Sequence, residues 1–288
     1  MSERSEVEDD AWAGDRVARW LRQAEGLERQ LAPVSEVLFA TAALVPGERV
    51  LDVGCGTGPT TRQAAAQVGP TGAVTGLDVS AEMLDAAASA PAGDGAAPID
   101  WVAADAVTWD PPEGAYDAVI SRFGVMFFSD PPTAFARLAT AARAGGRLAV
   151  AVWASRDESD LFAVPLHATL AVLHRHGLPE TEGIPEDGGP FSLGDVAAAT
   201  ALLEGAGWTD VAATSHRLRL PFGGGLAPQP AAEATVDFGP TRVVLEGVGE
   251  DVQAAAVTAI AEAFASHVDG DGHVVLGGHV IVLAATRR

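Results

Sequence analysis

The stretch Val50-Leu51-Asp52-Val53-Gly54-Cys55-Gly56-Thr57-Gly58-Pro59 reads as a short buried strand that ends near an acid and turns through alternate glycines into a helix. Glycines here permit positive φ in the turn and let a ligand lie directly against the backbone. A dinucleotide fingerprint wants a third glycine five positions after the first. Counting from Gly54, that place is Pro59, so pyrophosphate binding is disfavoured. A P-loop requires a lysine, and this chain has none.

Working outward, the next apolar runs end in Leu77-Asp78-Val79-Ser80 and Ala103-Ala104-Asp105-Ala106. Asp52, Asp78 and Asp105 are thus spaced by 78 − 52 = 26 and 105 − 78 = 27 residues, the length of one strand and helix, which brings all three acids to one edge of a sheet. A carboxylate at the second position can accept two hydrogen bonds from a ribose diol and would repel a phosphate. An acid followed by a free backbone N–H, as at Asp105 and Ala106, can read the amino group and neighbouring ring nitrogen of adenine. Together the residues describe a nucleoside site.

Runs at 49–53, 73–78, 99–103, 116–121 and 146–153 are expected strands, with helices beginning at Thr57, Ser80 and near Pro131-Pro132. That alternation predicts an α/β fold: a parallel sheet covered on both faces, with ligands at the carboxyl ends of the strands. On the amino-terminal side, Trp12, Val17, Trp20, Ala24, Leu27 and Leu31 give an amphipathic helix over 12–32, ending before Pro33, and a second over 34–44. After Trp153 come a helix at 159–176 and an acidic Gly/Pro-rich loop at 177–191, a candidate lid hinge. Ser192 and Asp195 form a capping-box-like helix start. A strand follows at 211–220, then a Gly/Pro-rich loop at 221–231. A helix at 251–268 carries Val252, Ala256, Ile260, Phe264 and Val268 on one stripe, and a last strand spans 274–285. The organisation expected is an N-terminal helical cover (1–45), a cofactor-binding core (46–153), a lid insertion (154–191) and a C-terminal part of the sheet (192–288) with a helical insertion at 221–272.

The 288 residues carry 39 acids against 18 arginines, a formal charge of −21. Such a charge repels nucleic-acid backbones and anionic lipid surfaces. The expected partner is a small-molecule substrate, with no nucleic acid and no membrane, for a monomer or homodimer. One cysteine, Cys55, forbids an intramolecular disulfide, and the acidic first ten residues are unlike a signal peptide, so a cytoplasmic location is expected.

With the glycine loop and the three acids in this order, the sequence resembles class I S-adenosylmethionine-dependent methyltransferases, in particular the ubiquinone/menaquinone-biosynthesis-like (methyltransferase type 11) small-molecule group. The resemblance covers roughly residues 30–153. It implies a Rossmann-like, seven-stranded, mostly parallel sheet with a reversed last strand, plus N-terminal helices and lid insertions. It also implies S-adenosyl-L-methionine as cofactor, with S-adenosyl-L-homocysteine as product. Asp52, Gly54, Cys55, Gly56 and Gly58 would surround the methionine part. Asp78 would hold the ribose, Val79 and Met83 would pack on adenine, and Asp105 and Ala106 would read its edge. The block Tyr116 to Phe128 is similar to the family's fourth strand and following loop, which places Ser121 and Phe123 beside the sulfonium.

Phe123, Met126 and Phe127, with Phe128 behind them, are candidates for an aromatic wall, joined by Trp12 and Trp20 as substrate-pocket residues. The amine-methylating branch of the family shows an Asn- or Asp-Pro-Pro-Tyr signature where this chain reads Ser121-Arg122-Phe123-Gly124, so oxygen or carbon acceptors are favoured. A catalytic base does not stand out; His167 and His174, two turns apart, are the candidates, and no metal is expected because His174 and His176 point to different helix faces. The expected activity is methyl transfer to an oxygen or carbon of a small organic metabolite, in natural-product biosynthesis. The alternative is a cyclase or regulatory protein that keeps the cofactor site without transferring methyl.

Overall fold

The structure, a computed structural model, describes residues 14–178 and 189–288. Its centre is one seven-stranded sheet: β1 (Arg49–Val53), β2 (Ala73–Asp78), β3 (Ile99–Ala103), β4 (Tyr116–Arg122), β5 (Ala142–Trp153), β6 (Trp208–Pro221) and β7 (Val275–Arg287), in the order β3-β2-β1-β4-β5-β7-β6. Pairs among β1 to β5 are parallel, while β7 runs antiparallel to both β5 and β6. This is the Rossmann-like sheet with a reversed last strand that the sequence predicts. The strand order turns back between β1 and β4, so the crevice for a ligand opens above their carboxyl ends.

Helices α1 (Asp15–Ala42), α2 (Pro59–Val68), α3 (Ala81–Ser89), α4 (Pro131–Ala141), α5 (Asp160–Arg175), α6 (Val196–Gly205), α7 (Pro228–Thr235), α8 (Gly239–Leu245) and α9 (Glu250–Phe264) complete the described residues. The central strands are apolar because both faces are covered: Val50, Leu51, Val119, Ile120 and Val150 are wholly buried. Helix starts follow local chemistry. Ser80 Oγ accepts from Met83 N, Asp130 accepts from Thr133 N, and α2 and α4 each begin with proline in the first turn.

Four expectations change. The break at Pro33 does not occur, since α1 runs through it as a single helix. An interior proline costs about 3 kcal/mol. Leu31, Val34, Leu38 and Phe39 are all buried around that position, and each such side chain gains roughly 1.5–3 kcal/mol on burial, so packing wins. Ser192 does not cap a helix; Asp195 alone caps α6, accepting from Ala197 N and Ala198 N, while Ser192 Oγ donates to Met126 O at 2.6 Å. The segment expected as a loop at 221–231 includes the start of α7, and α8 follows it. Val268 lies beyond α9 and is exposed, although Val252, Ala256, Ile260 and Phe264 do face inward. Among the described residues no helix is long and apolar enough to cross a membrane.

Candidate functional site

The glycine loop sits at the end of β1 with positive φ at Gly54, Gly56 and Gly58. Gly54 N donates to Leu77 O at 2.8 Å, tying the loop to β2. At Gly54 a Cβ would stand 2.6 Å from Gly124 Cα, so the loop lies backbone to backbone on the turn after β4. At Gly56 a Cβ would meet nothing within 4 Å: this glycine faces open space.

Asp52 is fully buried behind that loop. One carboxylate oxygen accepts from Thr60 Oγ1 at 2.6 Å and Thr61 Oγ1 at 2.7 Å, and the other, Oδ1, is buried without a partner. Burial raises its pKa to about 6 against the lowering by the two hydroxyls. An orphaned buried carboxylate oxygen at the end of a strand is a destabilised group awaiting a donor or a cation. Cys55 is buried and its thiol is pushed far up by that burial, so it is neutral and no nucleophile.

Asp78 is half-buried and holds the loop from the other side. Its Oδ2 accepts from Gly56 N at 2.7 Å and its Oδ1 from Ser80 N at 2.9 Å. Burial again raises its pKa. Each oxygen keeps a second lone pair for a diol. Val79 beside it is 44% exposed, an apolar face left open at the crevice. Asp105 Oδ1 accepts from Val107 N at 2.8 Å in a tight turn, and among the described residues the Ala106 N–H makes no hydrogen bond. Asp52, Asp78 and Asp105 thus stand at or just past the carboxyl ends of three neighbouring strands, β1, β2 and β3.

Six of the residues expected at the cofactor are buried: Asp52, Cys55, Gly58, Met83, Ala106 and Ser121. Ser121 is wholly buried and its hydroxyl donates to Val53 O at 2.7 Å, bracing β4 to β1. Met83 is buried on the inner face of α3. Asp52, as described, sits behind the loop rather than on it.

Phe123 has φ of 70°, an uncommon conformation for a bulky residue, and its ring stacks on Trp153 at 4.2 Å and 10°. Trp153 in turn meets Phe162 edge-on at 5.1 Å, and Phe162 meets Phe191 edge-on at 5.2 Å. Phe123, Trp153 and Phe162 border a cavity of about 260 Å³ to which Trp20, Met126 and Phe127 also contribute. Trp12 lies outside the described residues. Sequence reasoning missed Trp153, Phe162, Phe222 and Phe238, and the polar wall of Arg19, Gln23, Gln30, Asp237 and Arg242. Gln30 Oε1 accepts from Gly223 N, and Gln23 Nε2 donates to Asp237 Oδ2 at 3.2 Å. Arg19 and Arg242 have no ion-pair partner among the described residues.

Helix α1 is both structural and a cavity wall. Arg122 at the end of β4 donates to Ser35 Oγ at 2.6 Å and pairs with Glu28, both on α1. His167 and His174 are corrected as catalytic candidates. Both are exposed on the outer face of α5, the opposite face to Leu166, Val172 and Leu173, and no histidine lines the cavity among the described residues. One group with metal-ligand spacing, Asp269, Asp271 and His273, is found in the turn before β7. Asp269 Oδ1 there accepts from the backbone N–H groups of Asp271 and His273, which accounts for the cluster as a turn.

A sheet with this order and a reversed seventh strand, carrying a glycine loop after β1 that is held by the acid at the end of β2, defines the class I S-adenosylmethionine-dependent methyltransferase architecture. Residues 50–146 match a family described as "Methyltransferase domain", and this segment is a domain of that class. The chain is 36% identical over 117 residues to aklanonic acid methyltransferase DauC of Streptomyces sp. (strain C5), a match covering 41% of this chain and 53% of that protein. It is 34% identical over 116 residues to nocamycin O-methyltransferase of Saccharothrix syringae, covering 40% and 41% respectively. The chain thus spans about half or less of the length of these curated relatives. Among solved structures, the (4+2)-cyclase SpnF superposes with a TM-score of 0.52 at 18% identity over 88% of this chain and 80% of that one, a likeness of fold alone.

Proposed function

We propose that the chain is a methyltransferase that uses S-adenosyl-L-methionine to methylate an oxygen or carbon of a planar aromatic metabolite, in the cytoplasm and in natural-product biosynthesis. The observation that carries this reading is the backbone contact of Gly54 with Gly124, which sets the glycine loop beside Phe123, a wall residue of the aromatic cavity.

The residues present fit the cofactor. Asp78 suits the ribose diol, Val79 the adenine face, and Asp105 with the free Ala106 N–H the adenine edge. Gly56 leaves room for the methionine part, and the Asp52 carboxylate, buried behind the loop, attracts the ammonium by charge rather than by contact. When bound, the cofactor supplies an electrophilic methyl group on a sulfonium. The chain's task is then to hold a nucleophile in line with that methyl in a water-poor pocket, and such positioning can supply about 7–11 kcal/mol of a barrier. The Phe123 and Trp153 rings favour a sulfonium by roughly 0.5–2 kcal/mol of cation–π attraction. Arg19 and Arg242 suit an acceptor with an acidic oxygen, whose nucleophile is then already ionised and needs little help from a base.

Incubation with methyl-labelled cofactor and small-molecule extracts of the source organism tests the reading. Label on a low-molecular-weight aromatic supports it. Label on protein or nucleic acid overturns it, and tight S-adenosylhomocysteine binding without any transfer moves the chain to the cyclase or regulatory alternative. On the cavity side, Arg242→Gln is expected to raise KM about tenfold, the size of one lost charge-assisted bond, with a smaller change in kcat.

Asp52 makes cofactor affinity pH-dependent. Its folded pKa, near 6, lies above the ordinary 3.8, so the advantage of its neutral buried form is complete below pH 3.8 and is lost as pH rises through 6. Stability of the unliganded protein therefore falls across that window, whereas affinity for a ligand ammonium grows as Asp52 ionises. Calorimetry at pH 7 and pH 5 should show S-adenosylhomocysteine binding about tenfold weaker at the lower pH, flattened in Asp52→Asn. An equally steep profile in the variant would remove Asp52 from the site.

A further inference from the structure

We infer that Ser215, His279 and Glu158 form a second, hydrolytic site, separate from the methyl-transfer crevice, that acts on small activated carboxylic esters. The three residues come from β6, β7 and the turn after β5. Their side chains make a continuous chain: Ser215 Oγ lies 2.6 Å from His279 Nε2, and His279 Nδ1 lies 2.6 Å from Glu158 Oε2. A carboxylate can only accept, so the Nδ1 proton faces Glu158 and the Nε2 lone pair faces the serine hydroxyl. That tautomer is the one a general base needs to activate a serine.

The strand register builds this arrangement. His279 is paired with Arg217 and Ile281 with Ser215, so Ser215, Arg217 and His279 share one face of the β6–β7 ribbon. The imidazole is fixed from its own backbone: His279 N donates to Ser159 Oγ at 2.9 Å, and its carbonyl accepts from Ala154 N at 3.0 Å. Arg217 Nη2 lies 3.7 Å from Glu158 Oε1, holding the carboxylate from its far side. Exposure is graded as a nucleophile requires. His279 is nearly buried, at 9%, while Ser215 is open to solvent on the edge strand.

The reaction closes with water as the only co-reactant. Ser215 Oγ attacks the acyl carbon while its proton passes to His279 Nε2. The bond from that carbon to the leaving oxygen breaks, and the leaving oxygen takes the proton from Nε2. Water then attacks the acyl-serine, gives a proton to Nε2, and Ser215 Oγ recovers it as the carboxylic acid departs. An open edge strand offers little to hold a large acyl group, so the substrates are small esters with good leaving groups.

The test uses p-nitrophenyl acetate and the full chain, with release of p-nitrophenolate and mass spectrometry of the acid-quenched protein as readouts. Lysine, the usual acetylation background, is absent from this sequence. Acetyl on the peptide holding Ser215 is expected, with loss of that label and at least a tenfold lower rate in Ser215→Ala, and an intermediate rate in Glu158→Gln. Ser215 is an exposed position, and unchanged S-adenosylhomocysteine binding by the variant confirms its fold. Wild-type turnover in Ser215→Ala, or acetyl found only elsewhere, overturns the proposal and leaves the three residues as a structural contact. Neither result bears on methyl transfer.

Discussion

Asp78→Ala is expected to weaken S-adenosylhomocysteine binding about 100-fold, because two charge-assisted hydrogen bonds to a diol are lost at roughly 1.5–3 kcal/mol each and part of that is recovered by water. The same carboxylate also accepts from Gly56 N and Ser80 N, so the glycine loop loses its inner brace in the variant. Stability of the unliganded protein should change much less than affinity. Burial already raises the Asp78 pKa, which means that keeping this carboxylate ionised costs the fold free energy, and removing it returns some of that cost. Titration calorimetry and thermal unfolding on the same samples separate the two effects. Unchanged affinity would refute the ribose assignment, and a loss of stability equal to the loss of binding energy would make Asp78 a loop brace alone. Asp78→Asn keeps one acceptor oxygen and should fall between.

The strands and the acids at their carboxyl ends were legible because they rest on local signals. A strand with both faces buried is an unbroken apolar run, and a strand-helix unit has a nearly fixed length, so Asp52, Asp78 and Asp105 fall in register without any knowledge of contacts. What escaped was set by packing between distant segments. Pro33 reads as a helix end from propensity, yet it lies within a helix whose buried face outweighs one lost hydrogen bond. Phe222 reaches the cavity from the 221–231 stretch that reads as loop, and Phe238 from a segment given no element, although Pro228 and Pro240 stand in the first turns of α7 and α8, where proline starts helices. That signal was available. For Gly124 none was: nothing in its neighbours announces that Val53 O would stand 2.6 Å from any Cβ placed there. His167 and His174 illustrate the reverse case, in which chemically suggestive residues fall on the solvent face because the apolar residues of the same helix claim the other.

Gly54→Ala and Gly56→Ala are expected to fail in different ways, although both glycines belong to one loop and both have positive φ. A non-glycine residue in that region costs about 1–2 kcal/mol by itself, and both variants bear this. At Gly54 the new methyl group would also press on Gly124 Cα, 2.6 Å away, and that neighbour is backbone, which yields only by moving the turn after β4. Adding roughly 1–3 kcal/mol for forced repacking gives a loss of about 2–5 kcal/mol, or a melting temperature lower by around 10 °C at 2–4 °C per kcal/mol. Gly124→Ala, approaching the same contact from the other side, should match it. At Gly56 a methyl group meets no atom within 4 Å, so the melting temperature should fall by only a few degrees. That space, however, is where the methionine part of the cofactor is proposed to lie, and Gly56→Ala should lose at least tenfold in S-adenosylhomocysteine affinity. Comparable melting points for the two variants would contradict the backbone contact, and full affinity in Gly56→Ala would contradict the cofactor's path. The contrast also bears on substrate geometry. Phe123 is held between Arg122, anchored on α1, and Gly124, pressed on Gly54, so any shift of that turn moves the ring that divides the crevice from the aromatic cavity. Alanine at Gly54 should therefore disturb acceptor selection in whatever folded protein remains, whereas alanine at Gly56 should leave it intact.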